Sequence, residues 1–222
     1  MAYAYANKWT SGSGNTITIA PSAGSLLVLS TFTSSGGGNP TYTIADNLGS
    51  TWQVAQAATN DGGGAWDGVQ YLLNCGAGIT TLTLTFNGGT PGASCFITVV
   101  EYTGIAATAA FLGIVRNVQA APGTGTDALT ASGLSVTTAP ALLLCLVTSG
   151  SASTAGTGFT SRSTTNNLLV SDSRITSTGT YGVTATAANG SATYATHALA
   201  FAEFVPSNLD PITACFPIGY YE

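Results

Sequence analysis

Side chains that could do acid–base or metal chemistry are few in this 222-residue chain, which holds four Lys/Arg, nine Asp/Glu and one histidine. Glu101 and Glu203 form the best acid pair, because each ends an apolar stretch and precedes an aromatic residue. Two carboxyl groups across a groove would suit glycoside hydrolysis. The alternative is that each glutamate marks where its strand leaves the core. A faint internal duplication favours that alternative, since it makes the two glutamates equivalent.

The single histidine begins an alternating segment that runs from His197 to Glu203. In a strand these two residues share a face but lie about 20 Å apart, too far for a dyad. A Ser-His-Asp arrangement could still be assembled from distant segments, yet no G-x-S-x-G motif marks a serine nucleophile. We therefore predict that the histidine is structural and that the protein is not an enzyme.

A glycine-rich segment, residues 60–68, carries Asp61, Trp66 and Asp67. Its carboxylate oxygens are of the type that Ca²⁺ prefers, but the EF-hand spacing is absent and Asx turns explain the aspartates as well. An exposed loop tryptophan could stack on a sugar ring. The sequence thus makes these three residues a candidate glycan platform, whereas Trp52 is expected to be buried. We predict no metal and no cofactor.

The four cysteines, Cys75, Cys95, Cys145 and Cys215, are widely spaced and form no C-x-x-C pair. Zinc binding is therefore not expected. Cys95 and Cys145 lie inside apolar stretches, which is typical of buried thiols that act as small hydrophobic residues.

Composition excludes several classes of function. Charged residues make up 6% of the chain, against about 25% in ordinary domains, so there are too few cations for a nucleic-acid-binding face. Mean hydropathy is +0.33, yet no stretch reaches the roughly 18 apolar residues of a membrane helix. The N-terminal residues lack the pattern of a secretory signal. A surface of Thr, Ser, Asn and Gly protects solubility weakly, which indicates work inside an assembly.

Strands must position these residues. Residues 16–19 and 81–86 alternate between polar and apolar side chains, and residues 183–186 do so more weakly. Residues 25–29 and 141–147 are short continuous apolar runs, which predicts strands covered on both faces. Turn signals recur between them. The pattern predicts an all-β, jelly-roll-like antiparallel sandwich.

The faint duplication predicts one domain, residues 1–205, with two pseudo-repeated halves of about 16–104 and 127–205 that each supply strands to both sheets of one sandwich. The alternative is two separate domains joined near residues 103–137. Residues 206–222 form a proline-punctuated aromatic tail, which we expect to be held against its own domain or a neighbouring subunit.

Four segments taken together resemble the Gly/Ala/Thr-rich β-sandwich virion structural proteins of tailed bacteriophages: residues 25–29 (SLLVL), 44–52 (IADNLGSTW), 81–86 (TLTLTF) and 99–104 (VVEYTG). The likeness spans roughly residues 25–204, and the tail departs from it. The resemblance implies a head decoration protein or a tail-fibre or tail-tip module. It brings no catalytic residues.

We therefore expect a non-enzymatic capsid decoration protein, of cement or spike type, that resides in the virion, forms a homo-oligomer and binds other virion proteins. The predicted contacts with subunits or the particle are aromatic and aliphatic residues near the two ends: Tyr3, Tyr5, Trp9, Phe216, Ile218, Tyr220 and Tyr221. The alternative is a tail-fibre or tail-tip receptor module that binds a host surface glycan through Trp66. A glycoside hydrolase using Glu101 and Glu203 is the third hypothesis.

Overall fold

The structure is a computed structural model that describes residues 2–12, 14–35, 41–61, 64–87, 91–120, 126–149, 152–165, 168–188 and 193–206. In these residues it has sixteen β-strands and no helix, and the strands pair in antiparallel fashion. The predicted fold class, an all-β antiparallel sandwich, is confirmed.

The strands divide into two sets of eight. The first set is β1 (Ala4–Ser11), β2 (Thr16–Thr18), β3 (Leu26–Ser35), β4 (Thr41–Asp46), β5 (Gln53–Asn60), β6 (Ala65–Leu72), β7 (Thr81–Asn87) and β8 (Pro91–Thr103). The second set is β9 (Phe111–Ala120), β10 (Asp127–Val136), β11 (Ala141–Ser149), β12 (Ser153–Ala155), β13 (Thr160–Thr165), β14 (Leu168–Ile175), β15 (Gly179–Ala187) and β16 (Thr193–Ala202).

Both sets have the same topology. The first forms a five-stranded sheet in the order β1-β8-β3-β6-β5 and a three-stranded sheet in the order β2-β7-β4. The second forms sheets in the orders β9-β16-β11-β14-β13 and β10-β15-β12. Adding eight to each strand number of the first set gives the second. In each set, one sheet contains the first, eighth, third and sixth strands and faces a sheet of the second, seventh and fourth strands, which is jelly-roll connectivity. The chain is therefore a tandem repeat of one jelly-roll-like sandwich.

Each sandwich has its own apolar core. The core of the first sandwich lies between its two sheets and includes Leu82 on β7 and Ile97 on β8. The core of the second sandwich is built in the same way, for example from Leu143 on β11 and Val183 on β15. Removal of these side chains from water is the main stabilising contribution to each sandwich.

A third core joins the two five-stranded sheets face to face. Val28 and Val100 contribute to it from the first sandwich, and Leu144 and Leu199 from the second. The edge strands of the two five-stranded sheets also contact each other: β1 lies against β13, and β5 lies against β9. The four sheets thus stack as layers of three, five, five and three strands, and we call the junction of the two middle layers the inter-sandwich interface.

This stacking explains the continuous apolar runs. In β3, Leu27 and Leu29 face the core of the first sandwich, whereas Leu26 and Val28 face the inter-sandwich interface. The run at residues 141–147 in β11 is divided in the same way. The prediction that both strands are covered on both faces is confirmed.

The predicted arrangement of the halves is wrong. Each half builds a complete sandwich of its own rather than supplying strands to two shared sheets. The halves also begin earlier than expected, at β1 and β9, because these edge strands show partial burial on both faces instead of clear alternation. The sequence pattern shows that the central strands are covered twice, but it does not show which surface provides the second cover.

Candidate functional site

Asp61 closes the β5–β6 hairpin. Its backbone N–H donates to the carbonyl of Ala65 at 2.9 Å, and its Oδ1 accepts from the N–H of Ala65 at 3.0 Å. Gly64 has a φ of +88°, a conformation that favours glycine. Asp61 is buried and fixes this turn, as Asx-turn chemistry predicts.

Trp66 does not provide the predicted glycan platform. Strand β6 begins at Ala65, so Trp66 is a strand residue and only 9% of it is exposed. The glycine-rich segment was expected to remain a loop through residue 68. Because the strand begins at residue 65, the indole is held in the sheet and is buried. Trp52 is also 9% exposed, which confirms its predicted burial.

The side chain of Asp67 contacts residues of the second sandwich across the inter-sandwich interface. Arg116 on β9 donates from Nε to Oδ1 at 3.0 Å and from Nη2 to Oδ2 at 2.5 Å. The Nε2 of His197 on β16 lies 3.0 Å from Oδ1. Burial disfavours the charged carboxylate, but the hydrogen bonds from His197 and Arg116 outweigh it, so the pKa of Asp67 lies below its usual value. Asp67 is therefore an ionised link between the sandwiches, not part of a sugar site.

His197 is fully buried. In the part of the chain that the structure describes, no Ser or Thr hydroxyl hydrogen-bonds to it. A serine hydrolase requires a nucleophile bonded to the histidine and open to substrate. In the described geometry, His197 therefore occupies a structural position beside Asp67.

A second buried aspartate links the sandwiches from the other side. Asp172 on β14 accepts from the hydroxyl of Tyr102 in the first sandwich at 2.8 Å. It also accepts from Nε and Nη2 of Arg162 at 2.6 and 3.0 Å. Burial and the adjacent carboxylate raise the pKa of Tyr102 well above 10. Because β6 and β14 are equivalent strands, each sandwich presents one buried aspartate to the other.

Glu101 and Glu203 have separate partners. Glu101 accepts from the backbone N–H of Ser22 and the hydroxyl of Ser25, both at 2.7 Å. Glu203 accepts from Nε and Nη2 of Arg174 at 2.6 and 2.8 Å. Both glutamates are buried. The side chains therefore do not line one cleft, which a pair of glycosidase carboxyl groups must do.

The expected structural equivalence of the two glutamates is also wrong. Alternation along β8 places Glu101 on the same face as Val99, which lies in the core of the first sandwich. Two residues before Glu203, Phe201 lies in the inter-sandwich interface. The matching sequences around the glutamates are therefore out of register in the two repeats.

The predicted contact residues near the N-terminus have partners within the chain. The rings of Tyr3 and Tyr5 each lie edge-on to Tyr102 with centroids 5.8 Å apart, and Arg162 lies over the ring of Tyr5. Trp9 packs against the core of the first sandwich. All three predicted residues keep partial exposure, and their contact with another subunit stays a prediction. Phe216, Ile218, Tyr220 and Tyr221 lie outside the described residues.

The turn in the segment 44–52 has a structural role. Asp46 accepts from the backbone N–H groups of Leu48 and Ser50 and from Nε1 of Trp52, at 2.9 to 3.1 Å. Burial of the carboxylate is outweighed by these hydrogen bonds, so the pKa of Asp46 is lowered. Asp46 thus fixes the β4–β5 turn and the buried indole together.

The sequence analysis missed the arginines that organise the interface. Arg116, Arg162 and Arg174 each pair with a carboxylate that is almost fully buried. One signal was available, because these are three of only four cations in the chain, and a lone arginine in a strand needs a carboxylate partner if it is buried.

Three described cysteines, Cys75, Cys95 and Cys145, are free and buried, which confirms the prediction for the last two. Burial raises the pKa of Cys95 to about 11 and that of Cys145 to about 12. Among the described residues, no group of three or more His, Cys, Asp or Glu side chains is arranged to hold a metal ion. Nor does this part of the chain include a helix long and apolar enough to cross a membrane.

No protein-family model matches the chain, and no curated protein matches it significantly. The described structure and the resemblance in sequence are therefore the basis of the functional proposal.

Proposed function

We propose that the protein is a non-enzymatic structural component of a phage virion: a capsid decoration protein that binds the assembled particle as a homo-oligomer and stabilises it. The observation that carries this proposal is that most of the cationic side chains are paired inside the chain and not free at its surface. All three arginines are paired with buried carboxylates within the chain. Among the described residues this leaves Lys8 as the cation outside an ion pair.

An exterior of this kind favours association. Hydroxyl and small side chains dominate the outward positions of the strands, as in the alternating threonines of β7 and β15. Removing such groups from water costs far less than removing charges, and little like-charge repulsion opposes contact between copies. Binding that is selective for the assembled lattice stabilises that lattice by mass action.

The end of the second sandwich supports a role for the tail. Phe204 and Val205 are 49% and 59% exposed and lie where the chain leaves β16 toward residues 206–222. Large apolar side chains that stay exposed next to each other indicate a contact with another surface. The tail adds further aromatic residues later in the sequence, namely Phe216, Tyr220 and Tyr221.

The jelly-roll connectivity is compatible with this role but does not decide it. Jelly rolls occur in viral capsid proteins, and they also occur in lectins and cupins. A fold hosts many functions, so the proposal depends on the surface and on the resemblance in sequence.

Co-sedimentation with particles that lack the protein tests the proposal. We expect the full chain to pellet with undecorated phage heads at a saturable, stoichiometric occupancy. A chain truncated after residue 205 should keep its fold, because the described strands end at Ala202, but should no longer bind. Wild-type occupancy by the truncated chain would refute the role of the tail. A full chain that ignores heads and adheres to host cells would refute decoration.

A further inference from the structure

A cleft of about 440 Å³ opens at one end of the inter-sandwich interface. Its walls are the start of β5, the end of β6 and the segment that connects the two sandwiches, residues 104–110. Ligand sites occur preferentially at such junctions, and this volume lies in the usual range for small-molecule sites.

The connecting wall of the cleft is fixed by backbone hydrogen bonds. The N–H of Ala106 donates to the carbonyl of Ala202 at 3.1 Å, and the N–H of Ala202 donates to the carbonyl of Ala110 at 2.7 Å. Residues 107–109 therefore form a short arch between two anchored points, and Ala109 has a φ of +51°, which is uncommon for a residue with a side chain. A wall that is already ordered costs a ligand little conformational entropy on binding.

The lining combines aromatic, hydroxyl and amide groups and contains no charged side chain. The rings of Tyr71 and Phe111 stack with centroids 4.8 Å apart. Thr51, Gln53 and Thr108 are exposed along the cleft. The uncharged lining disfavours phosphates and carboxylates, which require cationic partners when they leave water.

Tyr71 gives the sharpest indication of a ligand. The residue as a whole is nine-tenths buried in the wall of the cleft, but its hydroxyl is not among the enclosed polar atoms of the described residues that lack a partner, so it is accessible to a molecule in the cleft. Burial raises the pKa of this hydroxyl, so it stays protonated and able to donate at neutral pH. A ligand hydroxyl in the cleft can therefore form a hydrogen bond with Tyr71 in place of water.

We propose that this cleft binds a neutral saccharide, with Tyr71 and Gln53 as its hydrogen-bonding residues and the Tyr71–Phe111 pair as its apolar wall. Sugars present both hydroxyl groups and apolar C–H faces, which match a lining of this composition. The inference is independent of particle binding and goes beyond it, since it gives the protein a ligand of its own.

The test is a titration of the full chain with a panel of neutral mono- and disaccharides, followed by ligand-observed NMR and calorimetry, with uncharged nucleosides as a second panel. We expect saturable binding of at least one saccharide. Tyr71→Phe keeps the ring and removes the hydroxyl, so affinity should fall about two- to tenfold. Gln53→Ala should have an effect of the same size, while both variants bind phage heads as the full chain does.

Matched controls separate the cleft from general effects. Gln56→Ala changes the same residue type on the same strand outside the cleft lining, and Tyr181→Phe removes an exposed hydroxyl in the second sandwich. Both should leave saccharide affinity unchanged. The proposal is overturned if no saccharide binds, if nucleosides bind in preference, or if Tyr71→Phe and Gln53→Ala bind as well as the controls do.

Discussion

Replacement of Arg116 by methionine isolates the ion cluster that joins the sandwiches. Methionine keeps much of the aliphatic length but removes the guanidinium, which leaves His197 as the hydrogen-bond partner of the Asp67 carboxylate among the described residues. Asp67 is 1% exposed and Arg116 is 15% exposed, so the cluster counts as buried. Loss of one partner from a buried pair costs about 3–5 kcal/mol.

The lower end of that range, about 3 kcal/mol, is expected because His197 remains beside the carboxylate. For a chain of this size such a loss corresponds to a fall in Tm of about 6–12 °C. Thermal and denaturant unfolding, followed by tryptophan fluorescence, measures it. Lys8→Met is the matched control, since Lys8 is exposed and forms no ion pair with the described residues, and surface changes of this kind stay within about 0.5 kcal/mol.

The pH dependence follows from the lowered pKa of Asp67. A carboxyl group whose pKa is lowered by folding stabilises the protein above its unfolded pKa of about 3.9, and this contribution is lost as the pH falls through the folded value. The stability difference between wild type and Arg116→Met should therefore narrow as the pH falls below about 4. A loss smaller than about 1 kcal/mol at pH 7, or a difference that stays constant between pH 7 and pH 3, would refute the reasoning.

Three further substitutions test other parts of the structure. Tyr102→Phe removes a hydrogen bond to the buried carboxylate of Asp172, and chemical denaturation should show a loss of about 1.5–3 kcal/mol. Asp46→Ala removes the acceptor of three hydrogen bonds in the β4–β5 turn, and a loss of about 2–3 kcal/mol, with a shift in tryptophan emission, is expected. Gly68→Ala places a methyl group against the hydroxyl end of the Tyr42 side chain, and thermal unfolding should show a loss of about 1–3 kcal/mol from overpacking.

Matched controls exist for two of these changes. Tyr181→Phe removes a hydroxyl that bonds to Ser177 at the surface, and its cost should be well below that of Tyr102→Phe. A Cβ atom at Gly12 would meet nothing within 4 Å, so Gly12→Ala should be nearly neutral. Equal losses in a variant and its control would contradict the structural explanation for that pair.

The sequence pattern predicts a strand well where apolar residues occupy one face of the strand and polar residues the other, or where apolar residues occupy both faces. The alternation in residues 81–86 matches β7, in which Leu82 and Leu84 are fully buried. The run at residues 141–147 predicts coverage on both faces, and β11 has it. Each of these features depends on local periodicity, which the sequence displays directly.

Partners distant in the sequence could not be predicted in the same way. The contact between Asp67 and His197 depends on how two complete sandwiches face each other, and neither residue carries a local signal of the other. The shared pattern of an apolar stretch, a glutamate and an aromatic residue was misleading, because Glu101 lies inside β8 whereas Glu203 follows the end of the equivalent strand β16. Trp66 was assigned to a loop because three glycines precede it, whereas the strand begins one residue before it.

The cleft at the connecting segment illustrates the same limit. Its residues come from the start of β5, the end of β6 and residues 107–111, and apart from Thr51, in the segment 44–52, none of them stands in a motif that the sequence analysis identifies. What draws attention to Tyr71 is its place in the wall of this cleft, stacked against Phe111, which is a property of the fold and not of the local sequence.

The most direct test of the central claim measures particle stability. Undecorated phage heads are heated with increasing amounts of the full chain, and the temperature at which they open is followed by light scattering. A decoration protein should raise this temperature and reach a plateau once the lattice sites are filled, since it binds the assembled lattice in preference to its free subunits. An opening temperature that does not change at saturating concentrations of the protein would contradict the account.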